Sequence, residues 1–415
     1  MFVYDDVTHD TRVRREAVSL AADGHEVTIV GRPTDLNAAT IEEDRLDGIR
    51  VLRVPIPAGW RRPWRLFGAP LRAVARAWAR LRGRPNGGRT LSWLVVWRFG
   101  TAGWARRAAA AAPPAAVVHG HDLSGLLAAA AVARRDGIPV IYDSHELFVE
   151  AGAVANLPHW ARSGLVRTEA RLIRSAAAVI TVNGAIADEL VARYTVAHPV
   201  VVHNCPPRPT GTPDRSRLRS ALGLAPGTPV VLCHGGLIVD RGIEQTAEAL
   251  LEPDLEAAHL VFLGRRTLMI EPILATPALA GRVHLLPAVA PDEVVEWVAG
   301  ADVASMPIQP TSLNHRLSTP NKLFESLSAG VPVVSSDFPV RRAIVIDDPD
   351  GPLGAVCDPS SAAAIACAIR SILSLSEPEL VDLRERCLKA ARERWNWETE
   401  SRRLVDVYRR LAGAS

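Results

Sequence analysis

The chain has 415 residues, 48% of them hydrophobic and 22% charged, with a net charge of +3. That composition excludes a disordered or fibrous chain, and so small a charge gives no ground for nucleic-acid binding. A length of 415 exceeds what one hydrophobic core usually organises, so two domains are expected.

The opening Asp5-Asp-Val-Thr-His-Asp10-Thr-Arg12 precedes a helix predicted over Thr11–Asp23 and a strand over Glu26–Val30. A basic block follows. From Gly48 to His121 there is no Asp or Glu, while arginine recurs from Arg50 to Arg107 among Trp60, Trp64, Phe67, Trp78, Trp93, Trp97 and Trp104. Tryptophan with arginine suits an anionic membrane surface. The other reading is a helical excursion packed through its tryptophans. Nucleic acid is set aside, because stacking aromatics are usually spread over a sheet.

Buried strands are then predicted at Ala116–His119, Pro139–Tyr142 and Ala178–Val182, with a helix over Ser124–Asp136 between the first two. Polar residues stand at their carboxyl ends: His119-Gly-His121-Asp122, Asp143-Ser-His145-Glu146 and Asn183. A zinc string of the His-x-His-x-Asp-His kind is broken at Leu123 and Ser124, so no metal is expected. Asn204-Cys-Pro-Pro-Arg-Pro-Thr-Gly-Thr-Pro213 carries four prolines and reads as a linker.

Strand–helix alternation restarts with predicted strands at Pro229–Cys233, His259–Leu263 and Val331–Ser335, and a helix over Gly242–Leu251. Such alternation argues for an α/β fold with doubly wound parallel sheets. The turn His234-Gly235-Gly236-Leu-Ile-Val-Asp-Arg241-Gly242 lets backbone approach a ligand, with Arg241 available to a diphosphate. The most informative stretch is Ser318-Thr-Pro-Asn-Lys-Leu-Phe-Glu-Ser-Leu-Ser-Ala-Gly-Val-Pro-Val-Val-Ser-Ser336. It reads as a loop through Pro320 into a helix beginning near Asn321. Free N–H groups at that helix start suit a diphosphate, Lys322 adds a charge, and Glu325 can accept from a ribose diol. Asp348-Pro-Asp350 lies in an obvious turn, and neither GxGxxG nor GxxxxGK[ST] occurs, against dehydrogenases and P-loop enzymes. The amphipathic tail Trp395–Leu411 is expected to pack back over the domain seam.

The Pro320–Ser336 stretch resembles the donor site of glycosyltransferase family 4, and the resemblance extends over nearly the whole chain. It implies a GT-B fold, two Rossmann-like domains facing a cleft, with residues 1–205 on the acceptor side, 206–390 binding a nucleotide-sugar, and 391–415 as the returning helix. It implies transfer to an acceptor hydroxyl with retention, without a cofactor or essential metal. The resemblance places Gly235, Gly236, Arg241, Pro320, Asn321, Lys322, Leu323 and Glu325 at the donor. His121 would meet the donor sugar near its reacting carbon. Asp10, Arg12, His145, Glu146, Asn183 and Asn204 would line the acceptor side. Two departures stand out: Leu317 occupies the place of the family's first glutamate, and Gly236 that of an arginine. They keep open a sugar-nucleotide-binding protein without transfer, and a GT-B epimerase or phosphorylase is a further alternative.

Five cysteines, Cys205, Cys233, Cys357, Cys367 and Cys387, form no CxxC, as expected in a reducing compartment. With no leader-like start and no charge-free apolar run of about 18 residues, a cytoplasmic protein is expected, peripheral on the membrane if the basic block docks there.

Overall fold

The computed structural model describes residues 1–59 and 87–413. The chain forms two compact units, Met1–Val202 with Ser401–Ser415, and His203–Glu400. Of the basic block, Trp60, Trp64, Phe67 and Trp78, with Arg61, Arg62 and Arg65, lie outside the described residues.

In the first unit the strands are β1 (Thr28–Gly31), β2 (Glu42–Leu46), β3 (Ile49–Arg53), β4 (Val118–His121), β5 (Val140–Ser144), β6 (Ala178–Thr181) and β7 (Val200–Val201). β3 lies between β1, to which it is parallel, and β2, to which it is antiparallel. β4 to β7 pair in parallel in chain order. Phe2 joins the two ladders. Its N–H donates to His119 O at 2.7 Å, and its carbonyl accepts from His121 N at 2.9 Å. On the other side Val30 N donates to Met1 O at 2.8 Å, and Val3 N to Val30 O at 3.1 Å. Met1–Val3 is therefore the innermost strand, and chain order reverses across it.

That reversal is packed tightly. A Cβ on Gly125 would stand 2.1 Å from Phe2 O, and one on Gly120 would stand 2.6 Å from Leu126 Cα. Only glycine at both positions lets the helix Asp122–Asp136 lie directly against the sheet. The helix's alanines serve the same end, since Ala128, Ala129 and Ala130 are all buried. Opposite, the helix Thr11–Ala22 packs Val13 and Ala17 with Ile29 and Val51.

The second unit holds one six-stranded sheet of β8 (Val230–His234), β9 (His259–Leu263), β10 (Val283–Leu286), β11 (Val303–Met306), β12 (Val333–Ser336) and β13 (Gly354–Cys357). All neighbours are parallel, in the order β10-β9-β8-β11-β12-β13. Helices cover both faces, which is why Val230–Cys233 and Leu260–Leu263 read as unbroken apolar runs with side chains at 3% exposure or less. Order reverses between β8 and β11, and a crevice at such a switch point is where open α/β sheets bind ligands.

The helix Trp397–Gly413 buries Leu404, Val407 and Tyr408, and from Ser401 onward it belongs to the first unit. Residues 204–213 have no regular structure. Several strands differ from the sequence reading by one or two residues at their ends, and the hairpin β2–β3 with β7, β10, β11 and β13 was not anticipated. Among the described residues no helix is long and apolar enough to cross a membrane. Trp104, expected at a membrane-facing surface or within a packed excursion, is a core residue, with its indole N–H donating to Gly31 O at 3.3 Å.

Candidate active site

In the second unit the chemistry gathers at the switch point. β8 ends on His234, whose Nε2 lies 3.2 Å from Glu325 Oε2. His234 is buried, while the Glu325 side chain remains one-fifth exposed. Glu325 sits one turn into the helix Asn321–Ser328, entered through Pro320, which offers no side-chain cap to the first N–H groups. Lys322, in that first turn, is buried beside Cys233 and makes no ion pair among the described residues. Burial pushes its ammonium down to about 8, and Arg241 lowers it further against the raising effects of Cys233 and Glu325.

Arg341 was not anticipated. It is fully buried at the start of the helix Pro339–Val345. Its Nη2 donates to His315 O at 2.7 Å and its Nε to Ser318 O at 3.2 Å, which fixes the loop leading into the Asn321 helix. Its Nη1 has no hydrogen-bond partner among the described residues. Burial, then Arg241, brings the guanidinium down to about 9. His315 is lowered as well, by burial and then by Arg241. Lys322 and Arg341 thus each feel Arg241 as a repelling charge, and Lys322 also feels the Glu325 carboxylate. Such a cluster is short of negative charge and is built for an anion.

The glycines serve the same place. Gly235 (φ 85°) follows β8, and its N–H donates to Leu263 O at 3.0 Å. Gly242 (φ 75°) begins the helix after Arg241, where a Cβ would meet Pro307 O at 2.2 Å. The structure therefore brings Gly235, Arg241, Pro320, Asn321, Lys322, Leu323 and Glu325 to one end of one sheet, with Gly236 in the same turn. It adds His234, His315 and Arg341. The Asp348–Asp350 turn is closed by backbone, and its carboxylates meet Arg394 at 2.7 Å and Lys389 at 2.6 Å.

In the first unit a second cluster forms where β4 and β5 end. His119 and His121 project to one side of β4 and stack with centroids 4.3 Å apart. His119 Nδ1 meets Tyr408 Oη at 2.9 Å. His121 Nδ1 lies 3.1 Å from His145 Nε2 and 3.4 Å from Asp143 Oδ2. Arg12 grips Asp143 through Nε (2.8 Å) and Nη2 (2.9 Å), and its Nε is 3.0 Å from Glu16. Asp122, at φ 52°, accepts from His145 N at 3.1 Å. Burial drops His121 to about 4, leaving a neutral imidazole. Burial would lower His145 too, but Asp122 and Asp143 overcome it and hold the ring cationic, at about 10. Burial raises Asp122 to about 7.

This geometry revises several expectations. Arg12 is 2% exposed with its donors taken by Asp143 and Val202 O, so it orders the cluster and cannot reach an acceptor. His121 is fully buried, whereas the neighbouring His145 is one-fifth exposed. Asp10 and Asn183 cap helices, accepting from Val13 N and Ile186 N, so their carboxylate and amide oxygens are engaged locally. Asn204 is partly exposed at the start of the linker, and Glu146 is partly exposed beside His145. Ligand atoms of Glu16, His119, His121 and Asp143 lie within 4.8 Å of one another. Arg12 pairs with Asp143, while burial and then Asp143 push the Glu16 carboxyl well up.

Two such doubly wound parallel-sheet units, each with its own sheet and core, are the architecture of the GT-B fold. Residues 9–205 match the glycosyl transferase 4-like domain, and residues 228–375 match the glycosyl transferases group 1 family; the chain belongs to these family-4-like enzymes. A D-inositol 3-phosphate glycosyltransferase of Xylanimonas cellulosilytica is 27% identical over 314 residues, covering 70% of this chain and 71% of that protein. Among solved structures, α,α-trehalose 6-phosphate synthase from Burkholderia multivorans superposes with a TM-score of 0.69 at 16% identity, over 100% of this chain and 98% of that one. Sucrose-phosphate synthase from Thermosynechococcus elongatus gives 0.68 at 18% identity, over 97% and 93%. Anabaena HepE in complex with UDP-glucose gives 0.66 at 14%, over 99% and 98%.

Proposed function

We propose that the enzyme transfers a sugar, with retention, from a nucleoside-diphosphate donor held by the second unit to an acceptor hydroxyl held by the first. The observation that carries this reading is the grouping of Glu325 and His234 with Lys322 and the neighbouring Arg241 and Arg341. Glu325, oriented by His234, holds the ribose diol. Arg241, Lys322 and the free amides of the Asn321 helix stabilise the departing diphosphate, where charge develops as the glycosidic bond breaks. Arg341 holds the loop of Ser318 that carries these amides. On the acceptor side His145, backed by His121 and Asp143, presents a fixed cation to the acceptor. No metal takes part, since side chains supply the cations.

HepE, a likeness in fold alone, is solved with UDP-glucose, and the Xylanimonas relative is named for an inositol phosphate acceptor. Both chemistries belong in the first screens of this enzyme. The proposal extends to a cytoplasmic setting in polysaccharide, glycolipid or natural-product assembly, with the basic block 50–107 meeting an anionic membrane. Co-sedimentation with anionic vesicles tests that last part, and equal recovery with neutral vesicles would remove it.

The donor site is tested by thermal shift against UDP, GDP, ADP, TDP and CMP and their sugars. One diphosphate should stabilise the protein, and Glu325→Ala should abolish the shift. Stabilisation without turnover for any acceptor would favour the binding-protein reading that Leu317 and Gly236 motivate.

A further inference from the structure

The first unit contains a cavity of about 290 Å³ that the reaction as described leaves unused. Its wall is aromatic. Trp93 and Trp97 stack with centroids 5.3 Å apart and planes 10° apart, and Phe148 lies 5.5 Å from Trp97. The three rings pack on Val149, Val154 and Leu157, yet all also line the cavity and remain partly exposed. The rim is polar: the lining includes Ser124, just beyond β4, and Glu146, just beyond β5. The helix bearing Trp93 widens into a π-helix over Val96–Thr101, immediately beside the stacked pair. Such widened turns cost stability and recur at functional sites.

We propose that this cavity seats one neutral sugar or cyclitol ring of the acceptor, its C–H face on Trp97 and its hydroxyls toward Glu146 and Ser124. An aromatic face carries negative potential, so it attracts the slightly positive C–H face of a polyol ring. A carboxylate and a hydroxyl at the edge then select hydroxyl groups by hydrogen bonding. Size and charge sharpen the class. The volume is at the low end for ligand pockets, which fits one ring rather than a chain. Among the described residues the lining carries one carboxylate and no Lys or Arg, so a phosphate inside it would be repelled. Any phosphate on the acceptor must point outward. In sequence Ser124 is two residues from Asp122, and Glu146 adjoins His145. The inference rests on the glycosyl-transfer reading and adds the acceptor's class and place.

Saturation-transfer NMR on the full chain tests it. The probes are myo-inositol, an inositol monophosphate, the methyl glycosides of glucose, mannose and N-acetylglucosamine, and hexanol. At least one neutral ring should bind. Trp97→Ala should weaken that binding about tenfold or more, Trp97→Phe should largely keep it, and Glu146→Gln should weaken it. Trp160→Ala should change nothing, because Trp160 is 57% exposed and lies outside the cavity. If Trp97→Ala fails to fold, Glu146→Gln keeps the test decisive, since unchanged ring binding in that variant overturns the proposal. The proposal is overturned if no ring binds, if binding survives Trp97→Ala in a folded protein, or if hexanol is preferred. Nucleoside-diphosphate binding, followed in parallel, separates the two ideas. If a diphosphate binds and no ring does, the acceptor proposal alone fails; if no diphosphate binds, the transfer reading fails with it.

Discussion

Glu325 and Lys322 lie one helical turn apart and answer to different physics. Glu325 is a partly exposed acceptor held in place by His234. Removing it as Glu325→Ala should weaken donor binding by about 1–3 kcal/mol, measured by calorimetric titration of the diphosphate. Unchanged affinity would move the donor site elsewhere. Lys322 is a buried cation held down to about 8 from 10.5. Between those values the unfolded chain binds this proton and the folded chain does not, so Lys322 makes stability rise with pH across that window. Diphosphate binding runs the other way, since it favours the charged ammonium. Affinity should fall between about pH 7 and about pH 9.5, by at most about tenfold per unit from this one group. Lys322→Arg, which stays charged, should flatten the fall; an equally steep decline in the variant would exclude Lys322 as the titrating group. Both residues stood out in the sequence because Pro320, Lys322 and Glu325 follow one another closely where a loop enters a helix. Arg341 was not, because nothing in Arg341-Arg342 tells a buried arginine from its exposed neighbour. Only the loop carbonyls of His315 and Ser318 separate them, and those come together through the fold.

At the scale of elements, the strands of the second unit follow from their apolar runs, as with His259–Leu263, whose limits agree with the reading residue for residue. The hairpin β2–β3 was missed for a physical reason. Its outer strand, Glu42-Glu-Asp-Arg-Leu46, is exposed and charged, so no apolar alternation marks it. The one available signal was Asp47-Gly48, both at positive φ, a pair suited to a tight hairpin turn. Met1–Val3 is the first strand of the chain, and three residues are too few to show a period. Yet this short strand aligns the first-unit site, since His121 N donates to Phe2 O and Gly125 lets the following helix approach. Gly125→Ala should therefore cost about 1–3 kcal/mol or more by overpacking. It should also disturb the His121–His145 contact, seen as a changed His145 titration by NMR. A folded variant with an unaltered His145 signal would show that the close approach does not set the cluster.

For the whole molecule, the C-terminal helix decides what each unit can do alone. Residues from Ser401 onward belong to the first unit, where Leu404, Val407 and Tyr408 are buried and Tyr408 meets His119. Burying three such side chains is worth about 5–8 kcal/mol, which rivals the entire stability of a typical domain. A chain ending at Glu400 should lose the protection of the Met1–Val202 unit in hydrogen exchange. The unit His203–Glu400 has its own sheet and its own core and should remain folded. That contrast gives the functional division its direct test. The truncated protein should still bind the nucleoside diphosphate, with its dependence on Glu325 intact, while transfer disappears. EDTA, by comparison, should leave transfer by the full chain unchanged. Loss of diphosphate binding in a truncated protein whose second unit keeps its exchange protection would mean that the first unit contributes donor ligands. The cation cluster around Lys322 would then be only part of that site.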